Sequence, residues 1–249
     1  MSIRIERRAI YNRFAALLIV CLGLSIPVVA QSVREKLAQS TDYRPRSTNA
    51  DHQLVEVARH FKIPMAIEWL DQTPDAVQPP GLSFEKGTVL DLIKAIVARA
   101  PQERLIVVDR LVRIFPPSVL NHRFNFLNLQ LRRYCVSNES VLGADFEVRV
   151  GIDTMLYPRE FRYGFNGGYG GGENLLWIEE INICVNHFSI RALLTEIVAQ
   201  SGKAAWIAHL NPRELKTQKP FWKGVPLNEY GTSAITGHWQ FFELLEYDR

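Results

Sequence analysis

An excess of charge of either sign is missing from this sequence once its first thirty residues are set aside. The 249-residue chain carries 29 Lys and Arg against 26 Asp and Glu. Residues 1–30 hold Arg4, Arg7, Arg8 and Arg13 but only Glu6, so the remainder has 25 of each. A nucleic-acid binder needs a sustained basic surface to displace counterions from phosphates, and a neutral chain argues against that class. Metal-ligand patterns are missing too. The six histidines, at positions 52, 60, 122, 187, 209 and 238, form no H-E-x-x-H and no close pair. His52 and His60 flank one helical stretch but stand eight residues apart. Two distant cysteines do not make a zinc site. No metal and no cofactor is therefore expected.

Catalytic signatures are equally sparse. Gly231-Thr-Ser-Ala-Ile235 departs from G-x-S-x-G at its last position and lacks the strand-to-helix elbow that the motif serves. Glu179 and Glu180 are neighbours in a strand-like segment, so they face opposite ways and cannot work as an acid–base couple. Glu68 and Asp71 beside Trp69 are the best candidates for a sugar-binding cleft, although such residues are common at strand ends. No catalytic residue is assigned.

One long hydrophobic run is present, at the very start. Four arginines precede Ala15–Ile26, an uncharged apolar stretch of twelve residues. Pro27 breaks it, and Val28-Val29-Ala30 places small or modest side chains before Gln31. A basic segment, a short apolar core and a small-residue site in this order describe a cleavable secretory signal peptide. The run is shorter than the roughly 20 residues a spanning helix requires. Residues 1–30 are thus expected to be removed near Ala30, leaving no stable membrane span and a periplasmic or secreted protein. Cys21 does not suit lipoprotein processing, because bulky Val20 precedes it.

The exported part keeps two cysteines, Cys135 and Cys184. In an oxidising compartment an even pair suggests a disulfide. Two separate buried thiols, each behaving as a small hydrophobe, are the other reading.

Residues 31–49 are polar and are expected to form a flexible leader. Beyond them the pattern becomes regular. Leu54, Val57, Ala58 and Phe61 fall at helical spacing, with Asp51 suited to the start of the helix. Pro64 ends it, and strands are expected over Met65–Trp69 and Leu82–Phe84. Thr88 reads as an N-cap, and Val89, Leu92, Ile93, Ile96 and Val97 make one apolar stripe. Leu105–Val108 and Leu111–Phe115 read as a hairpin that ends at Pro116-Pro117. In the second half Leu175–Cys184 is strand-like, Ser189 caps a helix with Ile190, Leu193, Leu194, Ile197 and Val198 as its stripe, and Ala204–His209 is a strand. Thr88–Ala98 aligns with Ser189–Ala199 at a constant offset of 101, cap on cap and stripe on stripe.

Between the halves, Phe146–Asp153 alternates like a strand. Val141, Ala144, Val148, Ile152, Met155 and Leu156 make a helical stripe over a longer span, with Asn138 or Ser140 as cap. The length favours a helix. Near the chain's end, His238–Leu244 alternates as a final strand with Trp239 and Phe241 on one face.

The segments VARHFKIPMAIEW, LSFEKGTVLDLIKAIV and RLIVVDRLVRIFPP, all within residues 50–117, resemble the secretin and TonB N-terminus (STN) domain of bacterial envelope proteins. Residues from NLQL through NHFSIRALLTEIVAQSGKAAWIA are similar to a divergent second copy. The resemblance implies an α+β fold of two small helix-on-sheet modules of βαβ type, at 50–117 and 118–249. It also implies a periplasmic setting and a protein partner of the envelope. STN domains usually precede a membrane barrel or a secretin ring. This chain carries neither, so a free-standing adaptor is implied.

Tyr163–Gly172 (YGFNGGYGGG) is the most unusual stretch. It lacks the strand–GxGxxG–helix order of a phosphate cradle. It reads as a loop, with Tyr163, Phe165 and Tyr169 as possible aromatic anchors on an adaptable backbone. The expectation is an exported, non-enzymatic module for protein binding or scaffolding. The alternative is a secreted hydrolase of polysaccharide or peptidoglycan, which would need two carboxylates converging in a cleft.

Overall fold

Alternating side chains along five strands organise the molecule, seen in a computed structural model that describes residues 32–71, 81–108, 110–156, 176, 180–216 and 239–244. In chain order, α1 (Val33–Ala38) and the short β1 (Ser40–Thr41) precede α2 (Ala50–Phe61), β2 (Met65–Leu70), β3 (Gly87–Thr88) and α3 (Val89–Val97). The hairpin β4 (Arg104–Val108) and β5 (Leu111–Phe115) follows. A one-turn α4 (Pro117–Leu120) and a 3₁₀ turn (Phe126–Asn128) lead to β6 (Gln130–Ser140) and α5 (Val141–Leu156). The described chain then runs through β7 (Glu180–Ser189), α6 (Ile190–Ser201), β8 (Ala204–Leu210), α7 (Pro212–Lys216) and β9 (Trp239–Glu243). The fold is mixed α+β.

The main sheet has the order β4-β5-β2-β8-β9. β2 is parallel to both neighbours, with Ala66 opposite Arg113 of β5 and Trp206 of β8. The outer strands β4 and β9 are antiparallel to theirs. This sheet draws on both of the segments distinguished in the sequence. Two antiparallel ribbons, β1 with β3 and β6 with β7, stand apart from it.

The near-continuous apolar runs of β2 (MAIEWL) and β8 (AAWIAHL) follow from burial on both faces. Met65, Ile67, Val112, Ile114, Ala205 and Ile207 pack with Leu54, Val57 and Ala58 of α2 and Val89, Leu92, Ile93 and Ile96 of α3. Ala66, Leu111, Ala204, Trp206 and Ala208 face the opposite way, onto Val141, Ala144 and Val148 of α5 and Ile190, Leu193, Leu194 and Ile197 of α6. Each fully buried aliphatic side chain in these stripes stabilises the fold by about 1.5–3 kcal/mol, an upper estimate.

The caps lie where the sequence places them. Thr88 Oγ1 accepts from the Asp91 N–H, and Asp91 returns the bond to the Thr88 N–H. Ser189 Oγ accepts from the Ala192 N–H, and Ser140 Oγ accepts from the Gly143 N–H at the start of α5. The ambiguous segment is therefore a helix. Gly202 ends α6 at φ +63, a left-handed position that suits glycine. In both halves a ribbon strand leads directly into a capped helix and then a strand of the main sheet: β3, α3 and β4 in the first, β7, α6 and β8 in the second.

Three local expectations are corrected. Residues 33–41 of the expected leader are ordered: Ser32 and Glu35 form a capping box, and Val33 and Leu37 are buried. An amphipathic turn six residues long was too short to stand out as a periodic signal. Leu82–Phe84 forms no strand, because the pairing with β1 falls at Gly87–Thr88. The strand expected over Leu175–Cys184 holds over residues 180–184 and runs on to Ser189, Leu176 lies in a 3₁₀ turn, and residues 175 and 177–179 lie outside the described residues.

Candidate functional site

One acidic residue interrupts the apolar run of β2. Glu68 is 1% exposed, and burying a carboxylate requires a partner. Arg191, the second residue of α6, provides it. Its Nε donates to Glu68 Oε1 at 2.7 Å, and one terminal nitrogen donates to the Leu120 carbonyl at 3.1 Å. The other terminal nitrogen donates to Asn128 Oδ1, and Arg113 of β5 stands 3.6 Å from Glu68. The group ties the first turn of α6 to the sheet and to the 118–128 connection. Among the described residues, none hydrogen-bonds Glu68 Oε2.

Glu103, just before β4, is a second buried acid at 2% exposure. Its Oε1 accepts from the Leu70 N–H at 3.0 Å, beyond the stretch where β5 pairs with β2. Burial, reinforced by the negative charge of Glu68, pushes its carboxyl up to about 8, against the lowering effect of the Leu70 hydrogen bond. At neutral pH it is largely protonated.

A third polar group fixes the far end of the sheet. Asp145 of α5 accepts from Arg149 Nε and from Trp239 Nε1, both at 2.8 Å. Arg149 also donates to the Trp239 carbonyl at 2.9 Å and lies 4.5 Å above the indole ring. Burial holds the Asp145 carboxyl above the usual carboxylate range, opposed by Arg149 and the two hydrogen bonds.

On the α2 face, His209 Nδ1 lies 2.8 Å from Asp71 Oδ1, and its Nε2 lies 3.9 Å from Asp51. The hydrogen bond to Asp71 raises the imidazole above its ordinary value, with burial opposing. Among the described residues, no group of three or more His, Cys, Asp or Glu side chains is placed to hold a metal ion.

The two cysteines meet. Cys135 and Cys184 are cross-strand partners in the β6/β7 ribbon, with sulfurs 2.00 Å apart in a disulfide. Both lie on the exposed face of the ribbon. The second candidate set, Tyr163, Phe165 and Tyr169, lies outside the described residues.

The sheet ends supply the features that residue patterns did not single out. β4 is the first strand in the order, and no described element pairs with its outer side. Leu105 and Val107 rest against the α2/α3 core. On the other face Ile106 and Val108 are each 39% exposed, beside Arg113 and Phe115 of β5. β4 alternates exposed and half-buried residues along its whole length. Comparison with family models, curated proteins and solved structures finds no match to the chain. The site therefore rests on its own geometry.

Two clefts accompany these features. One, of about 470 Å³, lies beyond the carboxyl ends of β2 and β8, between Leu70, the 119–124 connection and α7. The other, of about 710 Å³, lies between β6 and α5 and includes Tyr134, Cys135 and Glu147. Neither is lined by Glu68 or Glu103. The candidate sugar-cleft group is also divided: Glu68 is engaged by Arg191, whereas Asp71 is engaged by His209. No helix among the described residues is long and apolar enough to cross a membrane.

Proposed function

We propose that this protein is an exported, STN-like module of the bacterial envelope that works by binding or scaffolding another protein rather than by catalysis. The observation that carries the reading is the outer side of β4, which no described element pairs, with Ile106 and Val108 exposed along it. A sheet edge offers unpaired backbone N–H and C=O groups in register, and an extended segment of a partner can add to it as a further strand. Alternate side chains then supply selectivity. Arg104, on the same face of β4 as Ile106 and Val108, is exposed, which favours a partner strand bearing acids. In this reading the buried carboxylates Glu68 and Glu103 are structural groups, and the residues 1–30 deliver the module to the periplasm.

Replacement of both exposed edge residues, Ile106→Lys with Val108→Lys, tests the binding surface. The doubly substituted protein is expected to keep its melting temperature and to lose the partner that co-purifies with the unaltered protein from periplasm. Undiminished recovery of the same partner would sink the edge as the docking site. N-terminal sequencing tests export separately: Gln31 is the expected first residue, and a retained Met1 on a membrane-bound protein would overturn it.

A further inference from the structure

The cleft beyond the carboxyl ends of β2 and β8 uses residues different from those of the β4 edge. The mouth formed where parallel strands end and their connections diverge is a recurrent ligand position in sheets of this kind. Its apolar walls are Leu70, Val119, Phe124, Pro212 and Leu215, and its polar side chains are His122, Arg123 and Lys216. At about 470 Å³ it falls within the range of small-molecule pockets, roughly 300–1,000 Å³.

The polar side chains share one property. His122 Nδ1 accepts from the Phe124 N–H at 3.3 Å, so the neutral ring carries its proton on Nε2 and presents a donor there. Arg123 holds its guanidinium 4.5 Å over the Phe124 ring, which orders a side chain that would otherwise sample many rotamers. Lys216 offers three donors and no acceptor. None of the described lining side chains is acidic. The acid next in sequence to the wall, Asp71, is engaged by His209. The described lining side chains offer apolar walls and donors, which suits a ligand with an apolar body and an anionic, accepting head.

We propose that this cleft binds a small amphipathic carboxylate, an organic acid with one anionic head and an aliphatic body. The head meets Arg123 and Lys216 with His122 beside them, and the body lies against Val119, Phe124 and Leu215.

Sodium octanoate is the probe, titrated into the purified full-length exported protein and followed by calorimetry, with octylammonium as the control of opposite charge. Saturable, one-to-one octanoate binding is expected, with octylammonium at least about tenfold weaker. Arg123→Glu with Lys216→Glu changes two exposed residues and leaves the core intact. It is expected to weaken octanoate by about tenfold or more and to reverse the preference toward octylammonium. Equal binding of the two amphiphiles by the unaltered protein would overturn the proposal, as would octanoate affinity untouched by the charge reversal or absent up to roughly 10 mM, where an affinity carries only about 3 kcal/mol.

Discussion

β4 and β9 close the same sheet at opposite ends and are finished differently. β9 is held by groups from both helical layers. Arg149 of α5 covers the Trp239 ring and bonds its carbonyl, and Arg59 of α2 lies 5.4 Å over the Phe242 ring. The Leu176 N–H adds a bond to the Glu243 carboxylate. Among the described residues, β4 is packed from one side, through Leu105 and Val107. An uncovered edge is an aggregation hazard that proteins normally blunt with charge, bulges or a covering element. Among the described residues, side chains from α2 and α5 hold the faces of β9, whereas Ile106 and Val108 of β4 remain exposed. The largest expected effect lies at the covered edge. Trp239 is 1% exposed, and Trp239→Ala removes its packing and one of the hydrogen bonds to buried Asp145. A loss of about 5 kcal/mol is expected by urea unfolding, and a loss under about 2 kcal/mol would show that β9 is not held in this way.

The next effect tests how that side is supported. The β6/β7 ribbon carries α5, and with it Arg149. Cys135–Cys184 closes 49 residues of sequence, which the chain-entropy model credits with about 4 kcal/mol; measured values commonly run at 2–4. Cys135→Ser with Cys184→Ser should cost about 3 kcal/mol. Amide exchange should quicken in β6, β7 and α5, with little change in β4 and β5. Uniform quickening across the sheet would contradict the separation of the two ends.

Glu103 lies next to β4 and gives that end its own pH dependence. Its folded-state carboxyl titrates near 8 against an ordinary 4.5, so the native protein holds a proton that the unfolded chain has released. Stability is then fully present below about pH 4.5 and falls as pH rises toward 8, at up to about 1.4 kcal/mol per pH unit. Glu103→Gln keeps an oxygen acceptor for the Leu70 N–H and cannot ionise. It should match the unaltered protein at about pH 4 and exceed its stability at about pH 8.5. Parallel stability curves for the two proteins would show that Glu103 does not titrate in this way. His209 acts in the same direction over a different range. Its folded pKa is raised, so its contribution is present below about 6.5 and fades above it. The comparison is therefore read as the difference between Glu103→Gln and unaltered protein, in which His209 cancels.

Much of this architecture was legible because it rests on local signals. Thr88 and Ser189 cap the helices the stripes announced, and Pro116 ends the hairpin. The shared sheet was not legible. Parallel pairing of β2 with β8 joins residues roughly 140 positions apart, and no local pattern encodes such a contact. Half-signals existed for the polar groups. An acid inside MAIEWL, a strand apolar on both sides, demands a buried cation, yet the sequence does not say that Arg191 supplies it rather than another arginine. The β4 edge was hidden for a related reason. Leu105–Val108 reads as one arm of a hairpin, which does not say which of its faces is covered, and the strand order places it at an end of the sheet.

The smallest effect is the one that separates a docking edge from a structural one. Ile106 and Val108 already retain 39% of their surface in water, so lysine at either position loses little burial and can extend its charged end into solvent. Strand propensity falls modestly, and an edge strand tolerates lysine well. Each single substitution is expected to change stability by no more than about 0.5 kcal/mol by thermal or urea unfolding. The control is Val112→Lys on β5, the registered neighbour of Val107, which is fully buried and should unfold the protein outright. If Ile106→Lys instead costs as much as a core substitution, the outer side of β4 is covered in the native protein, and the difference between the two edges disappears.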